Sequence, residues 1–253
     1  MTRQMKFGIE LEVATTKSRG EVIDALRAAG INVEGARYGS AVIENTWKVQ
    51  PDGSINGWEI VSPPLTDTEE LKTVVHVLRK ELRVRCNKKT GLHIHHDIND
   101  FTLDQIKNLY RLYNKYEANA ITSIIAKSRQ YNTYCRPIAG QMENVEASTT
   151  ISEFKQSIAS RYHNLNHKAY IKYGTIEFRH HQGTTNINEI LAWLELTHKI
   201  VETAATKTEI KNLRPGRTIE EALDIMLQEV GLKDNKAVVK QLHRARKFIE
   251  KTA

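Results

Sequence analysis

Hydrophobic and polar residues alternate in three short segments that lie far apart along the chain. In Phe7-Gly8-Ile9-Glu10-Leu11-Glu12-Val13, a period of two sends Ile9, Leu11 and Val13 to one side and Glu10 and Glu12 to the other. The same period in Gly91-Leu92-His93-Ile94-His95-His96-Asp97 groups His93, His95 and Asp97 and turns His96 away. In Thr175-Ile176-Glu177-Phe178-Arg179-His180-His181 it sets Glu177 and Arg179 opposite Ile176 and Phe178. Each segment predicts a strand with one charged face. Three such strands in one sheet would line a single cavity with carboxylate, imidazole and guanidinium groups.

Elsewhere the period changes to that of a helix. Ser18 caps a predicted helix over 19–29 whose apolar stripe is Val22, Ile23 and Leu26 and whose terminator is Gly30. Thr66 with Glu69 predicts a capping box for a helix carrying Leu71, Val74, Val75, Leu78 and Leu82. Asp100 or Thr102 opens the clearest helix, with Ile106, Leu109, Tyr113, Tyr116, Ala120, Ile121 and Ile124 at helical spacing, its tyrosines serving as packing. Further helices are predicted from near Ser152 and over 188–205. Between the first two helices, Trp47 and Val49 lead into Pro51-Asp52-Gly53, and Trp58-Glu59-Ile60-Val61 leads out to Pro63-Pro64, the pattern of a β-hairpin. Residues 128–150, which include Arg129, Tyr131, Cys135 and Arg136, are polar without sustained periodicity and read as a long loop. Beyond Thr206, Pro215-Gly216 breaks the chain, Thr218 with Glu221 offers another capping box, and helical patterns cover 220–230 and 236–251. The mixture predicts an α+β fold: a main domain over 1–205 and a helical extension over 206–253 packed on it.

Composition narrows the class. A chain of 253 residues can bury a core without covalent staples. Two cysteines, Cys86 and Cys135, make no disulfide framework and no CxxC, as expected of a reducing cytoplasm. No apolar signal region opens the sequence, and no run approaches the ~18 apolar residues of a spanning helix, so a soluble protein without membrane contact is expected. The formal net charge of +7 favours anionic partners: nucleic acid, nucleotide phosphates or acidic peptides. Much of the excess lies at 79–89 and 236–251, where a solvated helix face is the ordinary explanation.

The charged strand faces carry the candidate chemistry. Glu10 and Glu12 suit a wet sheet face, or a hard cation such as magnesium or manganese, which takes several carboxylate oxygens. His93-x-His95 with Asp97 has the spacing found in many zinc hydrolases, with His163, His167, His180 or His181 as a further ligand, and it equally suits a polar strand. Glu177 and Arg179 offer a carboxylate for a metal and a fork for phosphate oxygens, or a plain salt bridge. Arg161, with Asn164 and Asn166 nearby, supplies either a second phosphate contact or surface charge. No P-loop, dinucleotide turn or nucleophile elbow is present.

Taken in order, Phe7-Gly-Ile-Glu10-Leu-Glu12, Asp52-Gly-Ser54 followed by Glu59-Ile-Val-Ser-Pro-Pro, Gly91-Leu-His93-Ile-His95 and Thr175-Ile-Glu177-Phe-Arg179 resemble the amidoligase family, a branch of the carboxylate-amine ligases with a glutamine synthetase-like fold. The likeness covers roughly residues 6–200. It implies an antiparallel sheet curved into a funnel and backed by helices, with ATP on one side, magnesium (or manganese) at the waist, and a small-molecule or peptide carboxylate meeting an amine opposite. By the same resemblance Glu10, Glu12, Glu59 and Glu177 are the metal carboxylates. His93 is a metal and phosphate ligand supported by His95, and Arg179 steadies the transferred phosphoryl group. Arg161 is a further catalytic and nucleotide contact, and Asp52, Ser54, Cys135 and Asn164 are substrate contacts, with Cys135 either nucleophile or packed thiol. The expected activity is ATP-dependent amide formation through an acyl phosphate. A zinc-dependent hydrolase built on His93-x-His95 and a basic nucleic-acid-binding protein, prompted by Arg244, Arg246 and Lys247, are the alternatives.

Overall fold

The three alternating segments become neighbours in one sheet of a computed structural model that describes residues 6–130, 132–158, 160–210, 216 and 218–251. Tyr131 and Pro215, singled out above, lie outside the described residues. The strands are β1 (Phe7–Ala14), β2 (Val33–Gly35), β3 (Trp47–Gln50), β4 (Gly57–Val61), β5 (Gly91–Asp97), β6 (Leu165–Asn166) and β7 (Thr175–Gln182). Their order across the sheet is β2-β3-β4-β1-β5-β7-β6. All pairs are antiparallel except β2–β3, which runs parallel and corrects the expectation of a purely antiparallel sheet. β2 has three residues and carries no readable alternation. The β3–β4 hairpin forms as expected.

Register does the positioning. Across β1, Glu10 pairs with His93 of β5, and Glu12 pairs with Glu59 of β4. Between β5 and β7 the register shifts: Leu92 faces His181 and Ile94 faces Phe178, so β7 carries an extra residue opposite His93. Glu177 lies in the regular part of the ladder, opposite His95 on the polar face, and the bulge beyond it turns both His180 and His181 towards the helices. Phe178 packs edge-on against Tyr113, His180 Nδ1 lies 3.1 Å from the Tyr113 hydroxyl, and His181 stacks near Trp193.

The helices that pack on the sheet and on one another are α1 (Arg19–Ala28), α2 (Glu69–His76), α3 (Leu103–Tyr116), α4 (Met142–Ala147), α5 (Ile151–Ser157), α6 (Lys168–Tyr173), α7 (Ile187–Thr206), α8 (Ile219–Glu229) and α9 (Lys236–Lys251). Capping boxes at Ser18–Glu21, Thr102–Gln105 and Thr218–Glu221 each satisfy two otherwise orphaned backbone donors. The box expected at Thr66–Glu69 does not form. α2 starts at Glu69 itself, and its amide donates to Asp67 Oδ1 at 2.9 Å. The expected loop over 128–150 is also corrected, since a short turn (Ala139–Gln141) and α4 occupy its second half. α4 buries only Val145, too little apolar surface to show a period in the sequence. His96, turned from the polar face as expected, sits 2.9 Å from Thr197 Oγ1 of α7.

The C-terminal helices share the core, with Leu223, Met226, Val238 and Leu242 buried. Glu229 of α8 accepts from Lys115 at 2.7 Å, from Lys207 at 3.0 Å and from the Tyr116 hydroxyl. Arg246 is buried between Glu220 (3.2 Å) and Glu250 (3.4 Å), so it is removed from the basic face on which the nucleic-acid alternative relied. No described helix is long and apolar enough to cross a membrane.

One buried carboxyl makes the fold pH-sensitive. Burial pushes Glu117 up to about 7, against hydrogen bonds from Asn164 Nδ2 (2.8 Å) and the Ile138 amide (2.9 Å). The unfolded chain loses this proton near its ordinary value of 4.5 while the folded chain keeps it. The stabilisation is therefore complete below 4.5 and lost as pH rises towards about 7. Urea unfolding between those limits should show Glu117→Gln removing that part of the slope, with the variant gaining on the wild type as pH rises.

Candidate active site

The polar sheet face gathers its charges around one imidazole. His93 Nδ1 lies 3.0 Å from Glu10 Oε2 and 3.5 Å from Glu177 Oε1, while its Nε2 lies 3.6 Å from Glu12 Oε1. His95 Nε2 lies 3.3 Å from Glu10 Oε1, and its Nδ1 is fixed 3.0 Å from Thr175 Oγ1. Glu59 completes the set from β4. Ligand atoms of Glu10, His93 and Glu177 lie within 4.8 Å of one another, as do those of Glu12, Glu59 and His93. Two ligand groups thus share His93.

Neighbouring donors hold these carboxylates in place. Gln50 Nε2 donates to Glu59 Oε2 at 2.5 Å, Asn166 Nδ2 donates to Glu177 Oε2 at 2.5 Å, and the Gly91 amide donates to Glu12 Oε2 at 2.6 Å. Arg179 pairs directly with the other oxygen of Glu177. Such surroundings split the carboxyls electrostatically. Burial, then the negative charge of Glu10, pushes Glu59 well above the usual carboxylate range, and the Gln50 bond only partly opposes this. For Glu10 burial acts in the same sense, but hydrogen bonds and charge from His93 and His95 outweigh it and hold the carboxyl well below that range. Burial would also raise Glu177, and the Arg179 charge reverses the direction.

Alongside lies a cavity of about 540 Å³. Its lining includes Glu10, Glu59, His93, His95, Glu177 and Arg179, the buried Lys48, and the cations Lys6, Arg161, Lys168 and Lys172. Arg161 is exposed there and donates to the Tyr38 hydroxyl at 2.8 Å. Asp52 also reaches the wall, whereas Ser54 is spent on it, its hydroxyl donating to Asp52 Oδ1 at 2.5 Å. Cys135 and Asn164 are placed away from the cavity. Burial pushes the Cys135 thiol up, which opposes a nucleophilic thiolate, and its Sγ donates to the Arg129 carbonyl at 3.3 Å. Asn164 is committed to Glu117. Ser54, Cys135 and Asn164, expected as substrate contacts, are thus each bonded to another residue and do not line this cavity.

Lys48 is the residue that the motifs missed. It is buried, donates to the Ser40 (2.9 Å) and Ala41 (3.2 Å) carbonyls, and has its pKa pushed down by burial despite the nearby Glu10 and Glu59. The alternation of Trp47-Lys48-Val49-Gln50 would have placed Lys48 and Gln50 on the polar face.

The donor set fits a hard divalent cation better than zinc, being mostly carboxylate oxygens with one shared imidazole. His163, His167, His180 and His181 do not join either group.

A solved structure described as a novel glutamine synthase homolog superposes with a TM-score of 0.51 at 13% identity, over 98% of this chain and 67% of that one. Residues 3–201 match the family described as "Putative amidoligase enzyme", and the chain belongs to that family. No curated protein matches the sequence.

Crowding in the cluster has a measurable cost. Glu59→Gln should raise the melting temperature of the metal-free protein by about 2–4 °C, on the order of 1 kcal/mol. Manganese should stabilise the wild type and lose much of that effect in the variant, as read by thermal unfolding with manganese or a chelator.

Proposed function

We propose that the protein is an ATP-dependent carboxylate-amine ligase that works through an acyl phosphate. The observation that carries this reading is the pair of acidic groups hinged on His93, with Arg179 beside them and a cation-rimmed cavity in front. The catalytic unit is residues 1–205, with the sheet serving as a funnel and 206–253 as a helical extension. Magnesium, or manganese in its place, would be held by Glu10, Glu12, Glu59, Glu177 and His93 and would neutralise phosphate oxygens.

The chain's own residues do the rest. Lys6, Arg161, Lys168 and Lys172 give a triphosphate a positive entrance, with Lys48 buried behind them, and His95 supports Glu10 and the nucleotide side of the cluster. A substrate carboxylate oxygen attacks the γ-phosphorus in line, the bond to the β,γ-bridging oxygen breaks, and ADP departs with that electron pair. Arg179, oriented by Glu177, offsets the charge that develops on the phosphoryl oxygens. The amine nitrogen then attacks the acyl carbon, the carbon–oxygen bond to phosphate breaks, and phosphate leaves. Asp52 takes the amine's proton. It is a wall carboxylate outside both metal groups, and the other such carboxylate, Asp97, is paired with Lys6 at 3.5 Å.

Purified protein with magnesium, ATP, and panels of amino acids or peptides and amines should release ADP in step with amide formation. Glu10→Ala and Arg179→Ala should each lower that rate at least a hundredfold. Stoichiometric zinc with ATP-independent turnover, or ADP release that survives both substitutions, would overturn the assignment.

A further inference from the structure

The polar face of β5 ends in a residue with no side chain, and an arginine from elsewhere fills the space. Gly91 points the same way as His93 and His95. A Cβ built on it would meet His93 Nε2 at 2.9 Å, Arg129 Nη2 at 3.0 Å and Arg129 Cζ at 3.2 Å. The guanidinium therefore lies over the backbone at the Glu12 end of the acid cluster, because only glycine leaves room for it. Its remaining surroundings are unusual for a buried cation. Arg129 is 2% exposed and donates one hydrogen bond among the described residues, Nη2 to the Arg179 carbonyl at 2.7 Å. Its buried Nε has no partner, and no described carboxylate lies within 4.0 Å of it.

A desolvated guanidinium without a counter-ion is destabilising, and a fold keeps one at little benefit unless something charged arrives to meet it. Five carboxylates line this part of the sheet or its margin, yet none takes the role. Glu10, Glu12, Glu59 and Glu177 face the shared imidazole or its neighbours, and Asp52 holds Ser54. Arg129 and Arg179 are joined through the Arg179 carbonyl, so two guanidinium groups flank the cluster from its two ends, one paired with Glu177 and the other free of any acid. A planar fork of donors suits the oxygens of a phosphoryl group or carboxylate.

We propose that Arg129 is a further catalytic residue, contacting from the Glu12 end the oxygens of the phosphoryl group as it passes from nucleotide to substrate carboxylate. The assignment rests on the ligase reading above. It gives the far end of the cluster an anion-binding role that none of the strand motifs carries.

The test uses full-length protein and the probe ADP, magnesium and aluminium fluoride, which mimics a phosphoryl group in transfer. Wild type should bind the fluoride complex at least tenfold more tightly than ADP–magnesium. Arg129→Met and Arg129→Lys should lose at least tenfold of that tightening while binding ADP–magnesium within twofold of wild type. Arg129→Met, which removes an uncompensated buried charge, should melt no lower than wild type. A lower melting temperature with unchanged tightening would mean that Arg129 only packs the corner, and would overturn the proposal. Absence of tightening in the wild type would overturn it too while leaving the nucleotide site standing. Failure of wild type to bind ADP–magnesium would overturn the nucleotide reading itself, and the role of Arg129 with it.

Discussion

Everything in the site depends on how many negative charges the sheet forces around His93. Antiparallel pairing brings Glu10 opposite His93, Glu12 opposite Glu59 and Glu177 opposite His95. In a low-dielectric interior, charges at such distances interact too strongly for all the acids to ionise alone. The chain relieves this with hydrogen bonds from Gln50, Asn166 and the Gly91 amide, with His95 beside Glu10, and with the positive charge of Arg179. These contacts aim the carboxylates without neutralising them. Such a set of oxygens matches what a hard divalent cation takes, and lysines and Arg161 line the cavity beside it.

That local conflict is tolerated because the other side of the sheet is so well packed. Ile9, Leu11, Ile60, Ile94, Ile176 and Phe178 are all buried against helices, and Trp193, Tyr110 and Tyr113 lie fully within that core. Rigid strands hold functional groups with less positional error than loops, which suits a site whose ligands must meet within a few ångströms. The same strands that bury their apolar residues deliver the acids, so stability and site geometry have a common origin in the period of two.

The regular elements were readable where a period or a cap was strong. Of the two expected capping boxes the one at Thr218–Glu221 forms, Ser18 and Thr102 cap the helices they were expected to open, and the long apolar stripes of α3 and α7 lie where their spacing puts them. Misreadings fall where tertiary contacts outweigh local preference. Thr66 lost its box because α2 starts later, at Glu69, with Asp67 taking the first amide. α4 gave no period because it buries one residue, and β2 was too short to alternate. Cys135 and Asn164 were expected at the substrate, whereas Cys135 is buried with its thiol on the Arg129 carbonyl and Asn164 is bonded to Glu117. Arg246 looked like one more solvated cation of a basic helix until Glu220, which lies on another helix, enclosed it.

By itself the sequence determined which residues share a strand face, since alternation depends only on backbone geometry, and it put Glu10, Glu12, His93, His95, Glu177 and Arg179 forward as a set. What it could not contain is the register between strands that lie far apart along the chain. Register decided that His93 would serve both acid groups and that Glu59 would face Glu12. Tertiary packing alone brought Arg129 over Gly91, Lys48 to the carbonyls of Ser40 and Ala41, and Glu117 under Asn164. Those positions follow from which surfaces meet when the core closes, and no local pattern along the chain records that meeting.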